Sequence, residues 1–191
     1  TSLQRDGNRI FGYTAQQVLD YAQALYEKKL LTYPRTDSNY LTEDMRDTLP
    51  GLCEAAISAL PFPVTVSGVD AARVIDNAKV NDHHALLPTN QMAGVDLSAL
   101  PAGERNLLTL VTIRLLCAVG EKQVYEDTEA EITCGVGLFT AKGRVIVSPG
   151  FTEVEQAFLS TLKKKPESDS KEEPKALPPL SQGQTFEKVK A

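Results

Sequence analysis

Gly12-Tyr13-Thr14-Ala15-Gln16-Gln17 divides two helical patterns near the start of the chain. Residues 3–11 carry a helix-compatible pattern that Gly12 stops. Thr14, with Gln17 three positions on, makes a capping box that restarts it. Val18, Leu19, Ala22, Leu25 and Tyr26 then recur at helical apolar spacing as far as Lys29. A short strand is predicted over Leu30–Tyr33. Helix, tight turn, helix and strand in this order is the layout of a helix-turn-helix or winged-helix core.

The second helix runs into Leu30-Leu31-Thr32-Tyr33-Pro34-Arg35-Thr36-Asp37-Ser38. Proline disfavours the helical region for the residue before it, so Tyr33 is expected to be extended. Positions two apart on an extended chain face the same way, so Tyr33 and Arg35 can address one anionic group. A phenol can act as a covalent nucleophile, and a guanidinium suits a phosphate that gains charge during attack. The pair is thus a candidate for phosphoryl transfer to tyrosine. The plain alternative is a strand end, a proline turn and a solvated arginine.

Downstream, Thr42 is expected to cap a helix with Glu43 and Asp44 in its first turn, ended by Pro50-Gly51. A short helix over 52–60 stops at Pro61-Phe62-Pro63. The only histidines, His83 and His84, lie in Asn81-Asp82-His83-His84-Ala85-Leu86-Leu87-Pro88-Thr89. Adjacent side chains on an extended segment point apart, which suits them poorly to chelate one metal. One histidine could donate to a phosphate oxygen or carry a proton; the alternative is a polar turn before a buried Ala-Leu-Leu. Leu107 to Leu116, after Pro101-Ala102-Gly103-Glu104, predicts a buried helix.

Beyond Gly120 the pattern becomes β-like, with strands expected over Thr128–Cys134, Leu138–Thr140 and Arg144–Val147, glycines between them. A mobile loop is expected over residues 163–179 and a last strand over Thr185–Val189. The expected class is α+β: a mainly helical, winged-helix-like domain over 1–120, then part of an antiparallel β domain over 121–191. That β part is short of strands, and partners outside the chain would have to complete its sheet.

At 191 residues, with 42% hydrophobic and 24% charged residues, the chain has the composition of a soluble globular protein. It carries no apolar run of membrane-spanning length, and no signal peptide is expected. Its three cysteines, Cys53, Cys117 and Cys134, are odd in number and far apart, which argues against a disulfide framework or a CxxC zinc site. A cytosolic compartment is expected. The net charge of −5 gives no bulk electrostatic attraction for nucleic acid. The start at Thr1 is expected to reflect excision from a longer polypeptide.

Taken together, the motifs resemble those of the type IA DNA topoisomerases, in their bacterial topoisomerase III branch. Leu31-Thr32-Tyr33-Pro34-Arg35-Thr36-Asp37-Ser38 is similar to that family's active-site tyrosine signature, and Asp82-His83-His84-Ala85-Leu86-Leu87-Pro88-Thr89 resembles its histidine motif. Leu3-Gln4-Arg5-Asp6, Gly12-Tyr13-Thr14-Ala15 and Leu25-Tyr26-Glu27 match the helices leading to the tyrosine. Phe139-Thr140-Ala141-Lys142-Gly143 and Gly150-Phe151 match the strands after it.

The resemblance implies that Tyr33 attacks a phosphodiester of single-stranded DNA, giving a 5′-phosphotyrosine and resealing without ATP. It implies that Arg35 and His83 assist at the phosphate, with Asp37 and Ser38 as supporting partners and no role for His84. Magnesium would be held by a Toprim domain outside this chain, and the remaining gate domains would be further partners. The 191 residues alone are then expected to be inactive. A nucleoid-associated location follows from the same resemblance. A tyrosine relaxase, a winged-helix regulator or a single-strand-binding module are the alternatives. They would call for a His-x-His metal site, a basic recognition helix or a basic aromatic groove, respectively.

Overall fold

The computed structural model describes residues 1–66, 68–162 and 175–186. Among the described residues, five α-helices and one antiparallel strand pair make an α+β protein, as expected. Two compact units divide the chain. One holds Thr1–Lys122 and the described residues from Gly150 to Leu162; the other holds Gln123–Pro149 and the described residues 175–186.

The first unit is built around α4 (Ala102–Val119), a helix buried on nearly every side. Leu107, Leu108 and Val111 join Val18, Ala22, Leu25, Leu30, Leu31, Met92 and Leu97 in one apolar cluster. Leu110, Ile113, Leu115, Leu116 and Val119 join a second, with Leu41, Leu49, Leu52, Cys53, Val74, Leu87, Val154 and Phe158. At about 1.5–3 kcal/mol for each fully buried large aliphatic side chain, α4 is the main source of hydrophobic stabilisation here.

α1 (Ser2–Phe11) ends at Gly12, whose φ of 73° takes the left-handed conformation that glycine tolerates. α2 (Ala15–Glu27) opens on the expected capping box. The Gln17 N–H donates to Thr14 Oγ1 at 3.2 Å and the Thr14 N–H to Gln17 Oε1 at 2.9 Å. Arg114 on α4 joins Asp6 on α1 and Glu155 on α5 (Thr152–Ser160), each at 2.9 Å.

Several local expectations change. Glu43–Met45 forms only a 3₁₀ turn, with no side-chain cap from Thr42. Pro50 does not end a helix but sits in the first turn of α3 (Leu49–Ala59), where its missing N–H has no intrahelical partner to lose. Leu30–Tyr33 is not a strand; a single bridge between Leu31 and Pro88 replaces it. α5 lies within residues 121–191, expected to be part of a β domain, in a stretch for which no element was expected. Its buried Val154 and Phe158, four positions apart, lay one stripe onto the second cluster.

In the second unit, β1 (Val124–Cys134) pairs with β2 (Gly137–Ser148) through a turn at Gly135, φ 60°. β2 runs unbroken where two strands were expected. Gly143 sits inside it because Leu177 packs over the backbone: a Cβ there would lie 2.7 Å from Leu177 Cγ. Thr185 and Phe186 are not in a strand. Residues 163–174 of the expected loop and 187–189 of the expected last strand lie outside the described residues. Among the described residues no helix is long and apolar enough to cross a membrane.

Candidate active site

The tyrosine stretch begins where α2 turns back on itself. Lys29 takes a left-handed φ of 61°, and the Leu30 N–H donates to the Leu25 carbonyl at 2.9 Å. Leu30 and Leu31 are then buried, which anchors the chain just before Tyr33.

From there the segment runs alongside the histidine stretch in the opposite direction. The Thr89 N–H donates to the Leu30 carbonyl at 3.0 Å, and the Thr32 N–H to the Leu87 carbonyl at 2.9 Å. The Thr32 hydroxyl oxygen accepts the Leu87 N–H at 2.9 Å. Further along, Thr36 Oγ1 donates to the His83 carbonyl at 3.1 Å, and the Ala85 N–H donates to the Tyr40 carbonyl at 2.8 Å. Two motifs far apart in sequence are thus laced into one site by backbone groups and threonine hydroxyls.

Tyr33 and His83 meet within it, ring centroids 4.7 Å apart and planes at 51°. Tyr26, from the last turn of α2, presents its ring edge-on to Tyr33 at 5.5 Å. Such aromatic pairs contribute about 0.5–1.5 kcal/mol beyond burial and hold the phenol in one orientation. Tyr33 is half-buried and His83 exposed. Arg35 and Asp37 are exposed, and among the described residues neither has a hydrogen bond or ion pair. Arg35 therefore stands in solvent two residues from the phenol, with its guanidinium open to an anion.

Ser38 is turned inward. Its hydroxyl donates to the Lys79 carbonyl at 2.9 Å, and its oxygen accepts the Tyr40 N–H at 3.0 Å. Lys79 lies 4.3 Å over the Tyr40 ring and 3.0 Å from Asp76 Oδ2; the bond to Asp76, then the Tyr40 hydroxyl, raises its pKa. His84 diverges from His83: its Nδ1 donates to the Ala85 carbonyl at 2.7 Å. Sequence reasoning did not single out Thr32, Thr36, Thr89 or Tyr26. Their signal is weak, since a threonine that laces two extended segments reads like any other polar loop residue.

The comparisons with known proteins agree on one family. A family model for DNA topoisomerase matches residues 1–191. DNA topoisomerase 3 of Bacillus licheniformis is 36% identical over 97% of this chain, and that of Bacillus subtilis 34% over 97%. The chain spans 25% of the length of these relatives. Among solved structures, full-length topoisomerase I from Thermotoga maritima aligns over 91% of this chain and 28% of its own. That alignment has a TM-score of 0.55 and 21% identity, a likeness of fold. With the whole chain matched and relatives above 30% identity along nearly all of it, the protein belongs to the type IA DNA topoisomerase family, with DNA topoisomerase 3 proteins among its relatives.

Proposed function

We propose that this chain is the tyrosine-bearing part of an enzyme that changes DNA topology by transient cleavage of one strand. The phenolic oxygen of Tyr33 attacks a backbone phosphorus of single-stranded DNA. The Tyr33 O–P bond forms as the bond from phosphorus to the 3′-oxygen breaks. The phenol loses its proton and the departing 3′-oxygen gains one. The product is a 5′-phosphotyrosine and a free 3′-hydroxyl. Because one ester replaces another, the reverse attack reseals the strand without ATP.

The observation that carries this reading is the Tyr33–His83 ring contact at 4.7 Å beside the exposed Arg35. Arg35 offers a fixed, always-charged fork to the phosphate oxygens as charge builds on them. His83 stands next to the phenol as a hydrogen-bond donor to the same or the neighbouring phosphate. Ser38 supports the loop, whereas Asp37 stands exposed with no bond of its own among the described residues. Ser38 does so through the bonds to Lys79 and Tyr40, which hold the turn after Arg35.

Magnesium belongs to this reading through residues beyond the chain. Among the described residues no group of three or more His, Cys, Asp or Glu is placed to hold a metal ion, and no step above runs through one. A phenol is mostly protonated at neutral pH and a weak nucleophile on its own. The 191 residues alone are therefore expected not to relax supercoiled DNA, and a plasmid relaxation assay with magnesium would expose the error by showing turnover.

In the longer protein, Tyr33→Phe should abolish the covalent adduct while leaving the thermal transition in place. Single-stranded oligonucleotides labelled at either end read the polarity. The label on the 3′ side of the break should stay with the protein, since that fragment carries the 5′-phosphate. An adduct that persists in Tyr33→Phe, or that retains the other label, overturns the assignment.

A further inference from the structure

The end of α2 carries two features that stability does not explain. Lys29, at φ 61°, is the one residue other than glycine in the left-handed region among the described residues. Its N–H donates to the Tyr26 carbonyl at 2.8 Å, and the Leu30 N–H donates to the Leu25 carbonyl at 2.9 Å. This is the bond pattern of a helix stop that ordinarily takes glycine, and a side chain there strains the backbone. The second feature is Tyr26, which is 40% exposed. Every other exposed large apolar side chain among the described residues lies in the second unit.

Both features border the phenol. The Tyr26 ring lies 5.5 Å from that of Tyr33, and Thr89 of the histidine stretch donates its hydroxyl to the Lys29 carbonyl at 2.5 Å. Four residues separate Lys29 from Tyr33, which keeps their Cα atoms within about 14 Å even on a fully extended chain. The neighbouring charges are engaged elsewhere: the Lys28 ammonium bonds to Glu104, and Glu27 accepts from Gln23 Nε2 at 2.9 Å. Lys29 is exposed, and its ammonium has no hydrogen bond or ion pair among the described residues. A helix C-terminus favours a cation, but Lys28 already supplies one, and glycine would make the turn without strain. An unpaired cation three residues from an exposed aromatic ring suits single-stranded nucleic acid, with a phosphate on the charge and a base on the ring. We propose that Tyr26 and Lys29 form a seat for one nucleotide of the strand, next to the phosphate at Tyr33. The base stacks on Tyr26, Lys29 holds a neighbouring phosphate, and Arg35 is left for the scissile one. The seat rests on the proposed substrate, single-stranded DNA, and not on the role of Tyr33 as nucleophile.

Equilibrium binding of a single-stranded oligonucleotide to the longer protein, carrying Tyr33→Phe and measured at several salt concentrations, tests the seat. Lys29→Gln should weaken binding about fivefold at 0.1 M salt and flatten the slope of log K against log salt by about 0.7, the contribution of one phosphate on a single strand. Lys29→Arg should restore both. Lys29→Gly should bind as weakly as Lys29→Gln while its thermal transition holds or rises, so damage to the fold cannot mimic the loss. Tyr26→Leu should weaken binding at least about fivefold with the slope unchanged, as a lost base stack would, and Tyr26→Phe should restore it. The proposal is overturned if Lys29→Gln leaves the salt slope unchanged, or if Lys29→Gly binds as tightly as the protein with Lys29. It is equally overturned if Tyr26→Leu binds as well as Tyr26→Phe, or if affinity falls only in variants whose thermal transition also falls. A longer protein that binds no single strand would end both this reading and the proposed function. An adduct that persists in Tyr33→Phe would remove the nucleophile assignment and leave the binding results standing.

Discussion

Thr36 Oγ1 occupies a position that a methyl group could fill in shape but not in bonding. It donates to the His83 carbonyl at 3.1 Å and accepts the Ser38 N–H at 3.1 Å. Thr36→Val keeps the volume and loses both bonds. With a net value of about 0.5–1.5 kcal/mol per hydrogen bond, and with the exposed His83 able to bond water instead, a loss of about 1 kcal/mol is expected. Thr36→Ser should restore most of it. Urea denaturation of the three proteins measures the difference; equal midpoints would mean the bond is not held in solution. The tyrosine and histidine motifs were legible in the sequence because their residue types are rare together. Their contact was not, because it depends on a long-range pairing made by backbone groups and by the ordinary-looking Thr32, Thr36 and Thr89.

At the scale of elements, α4 carries an internal inconsistency that a substitution can remove. Thr112 is fully buried, and its Oγ1 has no hydrogen-bond partner among the described residues. A buried hydroxyl without a partner costs about 1–3 kcal/mol. Thr112→Val removes that cost at nearly the same volume and should raise stability by about 1 kcal/mol, read as a higher urea midpoint with an unchanged slope.

Gly103, near the start of the same helix, works the other way. A Cβ there would meet the Tyr21 ring at 2.3 Å, and Tyr21 packs edge-on against Tyr13 at 5.2 Å. Alanine is favoured over glycine in a helix by up to about 1 kcal/mol, but overlap with a packed ring costs about 1–3 kcal/mol. Gly103→Ala should therefore lower stability, and a gain would show that Tyr21 moves aside freely. These two residues also mark what sequence could and could not give. α2 was readable from its capping box and apolar stripe. α5 was not, because nine residues with two buried side chains make too short a stripe to separate from a loop. Pro50 misled because proline suits the first turn of a helix as well as the end of one.

Across the whole molecule, the three free cysteines report on the two compact units separately. Cys53 is 1% exposed in the first unit, and burial pushes its thiol up to about 11. Cys117, half-buried on α4, is likewise pushed up to about 11 by burial. Cys134 is exposed at the end of β1 in the second unit. The thiolate is the reactive form, and a thiol titrating near 11 is roughly one part in a thousand ionised at pH 8. Iodoacetamide at that pH should therefore modify Cys134 first, Cys117 more slowly, and Cys53 only when the first unit opens.

The raised thiols also fix a direction with pH. Folded Cys53 and Cys117 keep their protons above the ordinary thiol value of 9.0, so stability from this source is full below pH 9 and falls as pH rises towards 11. Peptide mass spectrometry over a time course, repeated at increasing urea, resolves each site. Cys53 should become reactive in one cooperative step with the unfolding of the first unit, while the Cys134 rate changes little through that step. Early labelling of Cys53 in the absence of urea would mean that the cluster of Leu49, Leu52 and Leu110 around it does not stay closed, and that the α4-centred core is looser than its burial implies.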